Sequence, residues 1–560
     1  MVAIKLSTFS GLFPRVSPRL LPPDAATVAE NVRLDSGRLA AWRGPLAIND
    51  HNNTSFVVPA GTKTIYKHRD RQGNGYWLAW SSDVNAIPSP IAEDPYDRLY
   101  WTGENYPRMA IGTEVAGSIY PNYAPSASRR LGLPTPSAAP TIVVGGGTPG
   151  ANATALSRAY VFTYVSGLGE EGPPSPASAV VDVKQGEQVT ISFTDTFPSY
   201  AYNTAPKPGF RRIYRTNASG DFQFVKDVLA SSSSTTEVIL DEELGELLPT
   251  QSWDAPPDDD ANNHPDGPMQ GIIQIPNGIC AGFSGRSLFF SENYLPHVFP
   301  KQYSLTVKSK VVGLISISIG MIALTQGKPV LVTGSSPGGM SVNEIDSNQS
   351  CVSAKSAVDM GEAAIYASPD GLVVAGESGA NLITEGIFTR DQWQALNPSS
   401  IIAFNYEGRY VFFYKKTDNS TGGYVLDPRG ERPEIVTLNF YASAGFNDPV
   451  DDALYLVVTS GDGTKVRRFD GGTALAWTWQ SKELRLESPI NPGVAMVDAE
   501  AYPLTFQMFA DGVLKHTQTV NNSSQFRLPA GYRAKNFQVK LTGSVDVNQI
   551  IIAESPAEIG

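Results

Sequence analysis

One strand pattern recurs along the second half of the chain at a nearly constant spacing. Each copy begins at a glycine or polar turn and continues into four or more apolar residues: GRSLFFSE (Gly285–Glu292), GKPVLVTG (Gly327–Gly334), DGLVVAG (Asp370–Gly376), EGRYVFFYKK (Glu407–Lys416) and DDALYLVV (Asp451–Val458). Equivalent residues of successive copies are 42, 43, 38 and 43 positions apart. Repeats of about 40–50 residues made of short strands are typical of β-propeller blades. The sequence therefore predicts an all-β protein built around a propeller.

The composition agrees with a turn-rich β structure. The 560 residues include 51 glycines and 42 prolines, and only 18% are charged, which favours strands and turns over helices. Two cysteines, Cys280 and Cys351, are too few for a disulfide scaffold, and we interpret them as separate free thiols. The longest apolar stretch, Val311–Leu324, is interrupted by glycine and serine and alternates as a strand does. We therefore expect no membrane span, and the N-terminus lacks the apolar core of a signal peptide.

The formal net charge is −12, with a sequence pI of about 5.1. Nucleic-acid-binding domains are normally basic, because their lysines and arginines neutralise phosphates. An acidic surface repels DNA. The composition therefore disfavours a protein that grips nucleic acid.

Changes in pattern divide the chain into five segments. Residues 1–48 are rich in proline and carry large apolar side chains, which indicates an extended docking arm with one short helix at Asp24–Val32. We expect two β-sandwiches because strands alternate with turns both in the middle of the chain and at its end. The other segments are a first propeller blade (49–131), an inserted fibronectin III or immunoglobulin-like sandwich (132–254) entered through a Pro/Gly linker, the remaining blades (255–476) and a C-terminal β-sandwich (477–560). The propeller then has about six blades.

Motifs that could carry chemistry are each better explained as structure. GSSPG (Gly334–Gly338) matches G-x-S-x-G with Ser336 as nucleophile, but no helical pattern follows, so we interpret it as a blade turn. The five histidines have no zinc-ligand spacing, and we interpret them as isolated surface or loop residues. Asp258–Asp260 with Asp266 lack the EF-hand spacing and indicate a solvated loop rather than a Ca²⁺ site. SGDGT (Ser460–Thr464) only partly matches the Asp box of sialidase propellers.

The aromatic runs YWLAW (Tyr76–Trp80), WTGENY (Trp101–Tyr106) and WTW (Trp477–Trp479) could serve as sugar platforms. At strand spacing they favour core packing. We assign no catalytic residue, no cofactor-binding residue and no metal ligand, and we expect a protein that is not an enzyme.

The N-terminal segment contains the stretch FSGLFPRVSPRLLPPDAATVAENVRLDSGRLAAWRGP, with Pro14, Arg15, Pro18, Leu21, Ala26, Ala29, Asn31, Leu34, Gly37 and Leu39 at its marked positions. This stretch resembles the opening of tail nozzle proteins of short-tailed bacteriophages, also called tail tubular protein B-like or tail stabilisation proteins, and these residues fill the family pattern. DRLYWTGENYPRM (Asp97–Met109) is similar to a second family element, R-x-Y-x-T-x-x-x-x-P-R. NPGVAMVDAEAYPLTFQMFADG and FRLPAGYRAKNFQVKLTG are similar to the C-terminal sandwich of related phage proteins.

The resemblance implies a structural virion protein of the tail, assembled in the host cytoplasm. It implies a homo-oligomeric ring, a hexamer, at the distal end of a short tail, through which genomic DNA passes without specific binding. An acidic wall suits that role because it does not hold phosphates. The implied partners are the tail adaptor or upper tail protein, tail fibres or a tail needle, and the host envelope.

Two functions of other classes remain open on the residues alone. One is a tail-associated propeller glycan hydrolase or lyase, which requires two carboxylates about 5–9.5 Å apart at the propeller centre. The other is a receptor- or carbohydrate-binding module with exposed aromatic side chains.

Overall fold

The computed structural model describes residues 4–118, 123–202, 206–430 and 432–559. Almost all regular structure in that part of the chain is β-strand, as the repeats predict. The α-helices are α1 (Gly112–Ala116) and α2 (Arg390–Gln394), and no helix of the described residues is long and apolar enough to cross a membrane. Single 3₁₀ turns occur at Asp241–Glu243, Pro276–Gly278, Lys301–Tyr303, Pro337–Gly339, Ala354–Ser356, Pro398–Ser400 and Pro556–Glu558.

The N-terminal segment carries five short strands separated by turns. They are β1 (Ile4–Leu6), β2 (Ala26–Glu30), β3 (Val32–Arg33), β4 (Ala40–Ala41) and β5 (Leu46–Ala47). The helix expected at Asp24–Val32 is wrong, because β2 occupies these positions. Alanine and glutamate favour a helix locally, but pairing with strands from elsewhere in the fold overrides that preference.

Residues 49–131 contain two sheets. Blade 1 is a hairpin of β6 (Thr64–Arg69) and β7 (Gly75–Trp80), and blade 2 contains β8 (Asn85–Pro88), β9 (Leu99–Thr102), β10 (Arg108–Ala110) and β11 (Arg129–Arg130). The expectation of a single blade here is therefore corrected. The hydrogen-bonding pattern assigns these strands to two sheets: in the described residues β6 pairs only with β7, whereas β9 pairs with β8 and β10.

The inserted segment folds as a β-sandwich. Its strands are β12 (Thr141–Gly147), β13 (Ala155–Arg158), β14 (Tyr160–Val165), β15 (Val181–Lys184), β16 (Glu187–Ser192), β17 (Phe210–Thr216), β18 (Phe222–Leu229) and β19 (Ser234–Glu237). The sheets β12-β16-β19 and β14-β17-β18 enclose one core that includes Phe162, Val189 and Ile213, and β13 pairs with β15 at the side. β12 lies inside the stretch expected to be a Pro/Gly linker, so the sandwich begins earlier than that interpretation allows.

Five further blades follow the insertion. Blade 3 is β20 (Gln270–Ile275), β21 (Ile279–Ser284), β22 (Ser287–Phe290) and β23 (Leu305–Thr306); blade 4 is β24 (Val311–Ile317), β25 (Gly320–Thr325), β26 (Val330–Thr333) and β27 (Ser341–Glu344). Blade 5 is β28 (Val358–Asp359), β29 (Ala363–Ala367), β30 (Leu372–Gly376) and β31 (Gly379–Leu382); blade 6 is β32 (Ile402–Tyr406), β33 (Arg409–Lys415), β34 (Thr421–Asp427) and β35 (Glu434–Leu438). Blade 7 is β36 (Ala444–Asp448), β37 (Ala453–Ser460) and β38 (Gly463–Arg468), completed by β5.

The blades form a closed ring of seven sheets, one more than the expected count of about six. The first strands of neighbouring blades contact each other from blade 2 through blade 7, and β36 contacts β6 of blade 1. Blades 1 and 2 are joined by a hydrogen bond from the Val84 main chain to Thr64 (3.0 Å) and by a core shared by β7 and β9. Pairing of β5 with β38 places a strand from the N-terminal segment at the outer edge of blade 7.

The recurring sequence pattern marks strands inside the blades. It is the third strand in blades 3, 4 and 5, and the second strand in blades 6 and 7. The single short step of 38 residues falls where its position changes. Interior strands are buried on both faces between neighbouring blades, as β25 is along its whole length, and this explains why they appear as continuous apolar runs.

The C-terminal segment forms a second sandwich. Its strands are β39 (Trp477–Ser481), β40 (Leu484–Ile490), β41 (Val494–Ala499), β42 (Leu504–Ala510), β43 (Val513–Val520), β44 (Phe526–Arg527), β45 (Ala534–Gly543) and β46 (Val547–Ala553). One sheet is β1-β46-β41-β44 and the other contains β39, β45, β42, β43 and β40. β2 lies between β35 and β39, so that blade 6 and the second sheet form one ten-stranded sheet. The segment predicted to be a docking arm is thus paired within its own chain.

Candidate functional sites

Asn31 is the central joint of the N-terminal clamp, the name used here for residues 4–47. Its side chain is fully buried, donates a hydrogen bond to the Ala476 carbonyl (3.1 Å) and accepts one from the Asn439 main chain (3.0 Å). Its own main-chain N–H donates to the Thr437 carbonyl (2.8 Å), and its φ of +54° lies in the left-handed region, which asparagine tolerates better than most residues. Asn31 therefore joins the clamp, blade 6 and the start of the C-terminal sandwich.

Other residues that carry the family resemblance are also structural. Ala26, Ala29 and Leu39 are buried in the core shared by the clamp, blades 6 and 7 and the terminal sandwich. Gly37 has a φ of +73°, and its carbonyl accepts a hydrogen bond from the Phe9 main chain (2.9 Å). None of these contacts places a reactive side chain in a cavity.

The second stretch with family resemblance, Asp97–Met109, joins other parts of the molecule. Arg98 is buried and contacts the Asp94 carboxylate (2.7 Å) and the Glu170 carboxylate (2.8 Å) of the inserted sandwich. The Thr102 hydroxyl accepts a hydrogen bond from the Ile272 main chain in blade 3 (3.0 Å). This element therefore connects blade 2 to the sandwich and to blade 3.

A cavity of about 590 Å³ lies where the clamp meets blade 6, and we call it the clamp pocket. Arg33 bridges Glu407 (2.6 Å) and Asp470 (3.2 Å), and Arg409 bridges Glu407 (3.0 Å). The buried Trp42 lies beside both arginines, with its ring centroid 4.8 Å from the Arg33 guanidinium carbon and 5.7 Å from that of Arg409. Four arginines (Arg33, Arg409, Arg429 and Arg432) and three carboxylates (Asp35, Asp427 and Glu434) line the pocket.

Two carboxylates in the clamp pocket have opposite electrostatic surroundings. Asp427 and Glu434 are directly opposite residues of β34 and β35, where Cβ atoms are about 4.5–5.5 Å apart. Burial raises the pKa of Asp427, but hydrogen bonds and charge from Arg429 and the charge of Arg409 outweigh it and hold the pKa below the usual range. Burial, together with the charges of Asp24 and Asp427, raises the pKa of Glu434 to about 7. Near neutral pH one carboxyl is ionised while the other still carries a proton part of the time, a combination suited to acid–base chemistry.

A cavity of about 670 Å³ lies at the ring axis and is lined by blades 1 to 6. The Lys355 ammonium, on the loop before blade 5, contacts the Asp83 carboxylate and the Lys63 carbonyl (2.7 Å) on the opposite side of the ring. This contact spans the ring between the loop before blade 5 and the residues that connect blades 1 and 2. Asp83 is the one carboxylate among the described residues lining the cavity, so no carboxylate pair is found where the axial hydrolase interpretation requires it.

In the structure, the residues of the sequence motifs lie apart from one another and do not share a site. Ser336 is exposed and is followed by a 3₁₀ turn, which fits the blade-turn interpretation. Within the described ranges, no group of three His, Cys, Asp or Glu side chains could hold a metal ion, and Asp258 and Asp259 contact Arg130 (3.2 and 2.7 Å). Ser460 and Asp462 form a surface turn in which the Asp462 carboxylate binds Lys465 (2.9 Å).

The aromatic runs belong to the core. Trp77, Trp101, Trp477 and Trp479 are each at most 3% exposed, as the strand spacing predicts. Cys280 and Cys351 are separate, buried free thiols. The interpretation of the histidines as surface or loop residues is wrong for His68, which is buried within β6; His297 lies in a turn, as a loop residue should, but its side chain is buried.

Sequence reasoning missed Asp427, Glu434 and His297 as residues of interest. Asp427 and Glu434 flank a single Pro/Gly turn, PRGERP, and this symmetry could have paired them. Nothing in the local sequence distinguishes His297, because its burial depends on packing between the inserted sandwich and blade 3.

No protein-family model and no curated protein sequence matches this chain. Three solved structures are similar in part. An exo-β-1,3-galactanase from Phanerochaete chrysosporium is 9% identical, with 91% of this chain and 99% of that chain covered and a TM-score of 0.17. The dihydro-heme d1 dehydrogenase NirN is 10% identical, with 70% and 74% covered and a TM-score of 0.24. The WD40 domain of SCAP from fission yeast is 8% identical, with 74% and 94% covered and a TM-score of 0.21. Scores this low carry no argument about function.

Proposed function

We propose that this chain is a structural protein of a short phage tail, whose copies form the distal nozzle through which the genome leaves the virion. The observation that carries the proposal is the structural role of the residues that resemble the family. Asn31, Gly37 and Leu39 in the clamp, and Arg98 and Thr102 in blade 2, all hold large elements of the chain together. A residue pattern that holds large elements of the chain together suits a rigid building block.

In this proposal duplex DNA passes between subunits, around the symmetry axis of the assembly, and not through a single propeller. The contact of Lys355 with Asp83, which spans the ring, supports this choice. The acidic balance of −12 supports passage without binding, because excess carboxylates repel phosphates.

The test is the mass and symmetry of the purified full chain, alone and mixed with its tail neighbours, by electron microscopy with class averaging. We expect a six-fold ring with a central opening wide enough for duplex DNA. A chain that remains monomeric under both conditions would contradict the proposal.

A second candidate function, a glycan hydrolase, is favoured by the carboxylate pair in the clamp pocket. In this alternative the protonated Glu434 donates its proton to the leaving glycosidic oxygen, and the ionised Asp427 assists attack at the anomeric carbon. The glycosidic bond breaks, and water supplies the hydroxyl group at the anomeric carbon and restores the proton. The pocket lies at the edge of blade 6, away from the axis where propeller chemistry is expected.

The hydrolase alternative predicts release of reducing ends from bacterial polysaccharide. Glu434→Gln and Asp427→Asn should each abolish that release, whereas Glu242→Gln, a change at an exposed residue of the inserted sandwich, should not. Activity that persists in both pocket variants would exclude this pair, and ring assembly without any release would favour the structural role alone.

A further inference from the structure

The inserted sandwich is docked on the propeller through a buried junction. Leu168 and Tyr202 of the sandwich share one core with Tyr100 and Leu131 of blade 2 and with Phe299 of blade 3. The ion pair between Arg98 and Glu170 lies beside this core, with both side chains at most 8% exposed. A buried ion pair of this kind is sensitive to any new charge placed next to it.

His297 lies where the chain enters and leaves the sandwich. A Cβ atom added to Gly132, at the entry, would lie 3.0 Å from the His297 carbonyl oxygen and 2.8–2.9 Å from the side chains of Pro256 and Ala255 at the exit. The His297 ring packs edge-on against Trp253, with centroids 6.3 Å apart. The ring therefore lies in the joint between the two connecting segments and blade 3.

The His297 ring has no hydrogen-bond partner among the described residues. The residue is 5% exposed, and neither ring nitrogen makes a hydrogen bond of acceptable geometry, although the main chain of Glu171 lies near. Buried polar groups normally have partners, and an unpaired imidazole is tolerated only in its neutral form.

The carboxylates facing this joint are already bound by other groups, which leaves the Glu171 main chain as the acceptor near a protonated ring. Glu170 is bound by Arg98 (2.8 Å), and Asp94 is bound by the same guanidinium (2.7 Å). Glu171 is bound by Arg212 (3.0 Å) and also accepts hydrogen bonds from Thr163 and Tyr214. Asp254 faces away toward Lys301 (3.8 Å). A second positive charge at His297 would compete with Arg98 for Glu170.

We propose that protonation of His297 in mildly acidic solution loosens this junction and lets the inserted sandwich separate from the propeller while both remain folded. Burial lowers the pKa of His297, the Glu170 charge opposes that shift, and Arg98 adds to it. A histidine whose pKa is lowered in the docked state stabilises docking fully above its unperturbed pKa of about 6.5. The stabilisation is lost as the pH falls below that value.

Small-angle X-ray scattering of the full chain tests this proposal at about pH 7.5 and about pH 5.5, on either side of the unperturbed histidine pKa. We expect the radius of gyration to increase at the lower pH, and proteolysis at the connecting segments near Gly132 and Ala255 to become faster. The far-ultraviolet circular dichroism should not change, since both parts stay folded.

Variants separate His297 from the other histidines. His297→Phe and His297→Gln cannot be protonated, so each should keep the compact form at both pH values; the glutamine variant serves if phenylalanine does not fit. His516→Phe, in the C-terminal sandwich, is the matched control and should keep the pH-dependent expansion. An unchanged radius in the wild type, or an equal expansion in the His297 variants, would overturn the proposal.

Discussion

Replacement of Asn31 by alanine should loosen the joint between the N-terminal clamp, blade 6 and the C-terminal sandwich. The substitution removes the hydrogen bonds to the Ala476 carbonyl and from the Asn439 main chain. It also places alanine at a φ of +54°, where its Cβ crowds the following carbonyl more than asparagine does.

The magnitude follows from the burial of the groups left behind. An unpaired buried polar group costs about 1–3 kcal/mol. Because Ala476 and Asn439 are themselves exposed, water can reach their main chains, and we take the low end of about 1 kcal/mol for each. Left-handed alanine adds about 1 kcal/mol. The local opening free energy should therefore fall by about 3 kcal/mol, which is roughly a 100-fold increase in opening.

The assay is native-state hydrogen exchange followed by mass spectrometry, because exchange reports the opening of individual regions in a large protein. Peptides that cover β2 and β39 should exchange roughly 100-fold faster in Asn31→Ala. The matched control is Asn439→Ala, which keeps the main-chain donor and removes a side chain that makes no hydrogen bond to any described residue. Peptides of the inserted sandwich should not change in either variant.

An increase of less than about tenfold in β2 and β39, equivalent to about 1.4 kcal/mol, would refute the reasoning. So would an equal increase in Asn439→Ala, because the effect would then come from the loss of any asparagine at this surface. Faster exchange across the whole chain would mean that the clamp controls global stability rather than one joint.

Three further predictions concern other groups. Burial raises the pKa of the Cys280 and Cys351 thiols to about 12, so neither should react with a thiol reagent at neutral pH until the chain is unfolded, as counted by mass spectrometry. The pKa of Glu434 is raised to about 7, so its contribution to stability should be complete below its unfolded pKa of about 4.5 and be lost as the pH rises through 7; Glu434→Gln should weaken this dependence in thermal melts at several pH values. The ion pair of Lys355 and Asp83 is partly exposed, so Asp83→Asn should change the free energy of unfolding by less than about 1 kcal/mol in urea titrations, and a larger loss would show that the pair is needed to hold the ring.

The blade strands could be predicted from the sequence because they are buried on both faces. Val330–Thr333 and Leu372–Gly376 appear as continuous apolar runs whose spacing is visible without knowing their partners. The count of blades could not be predicted as well. Among the described residues blade 1 is a hairpin, and nothing local in Thr64–Arg69 or Gly75–Trp80 indicates that the next strand belongs to another sheet.

The strands of the N-terminal segment, unlike those of the blades, could not be predicted from the sequence. Ala26–Glu30 carries alanines and a glutamate that favour a helix locally, and its strand partners β35 and β39 lie more than 400 positions later in the chain. Pairing over such a distance leaves no periodic signal in either segment. The same limit applies to the candidate sites, since Glu434 depends on Asp24 and Asp427 for its pKa, and His297 depends on a sandwich inserted before it.

The placement of the clamp explains why one segment matters to so much of the fold. β1 completes a sheet of the C-terminal sandwich, β2 joins that sandwich to blade 6, and β5 covers the outer edge of blade 7. Without β2, the edges of β35 and β39 would be open, and an open sheet edge is a site for unwanted pairing with other chains, whereas β1 and β5 are short strands at the ends of their sheets. Because the partners lie at the far end of the chain, these contacts have the longest loops to close and are expected to form slowly. The residues that fix the clamp, Asn31 above all, therefore hold blade 6, blade 7 and the C-terminal sandwich together, which gives a physical reason for a detailed residue pattern in a segment with so little regular structure.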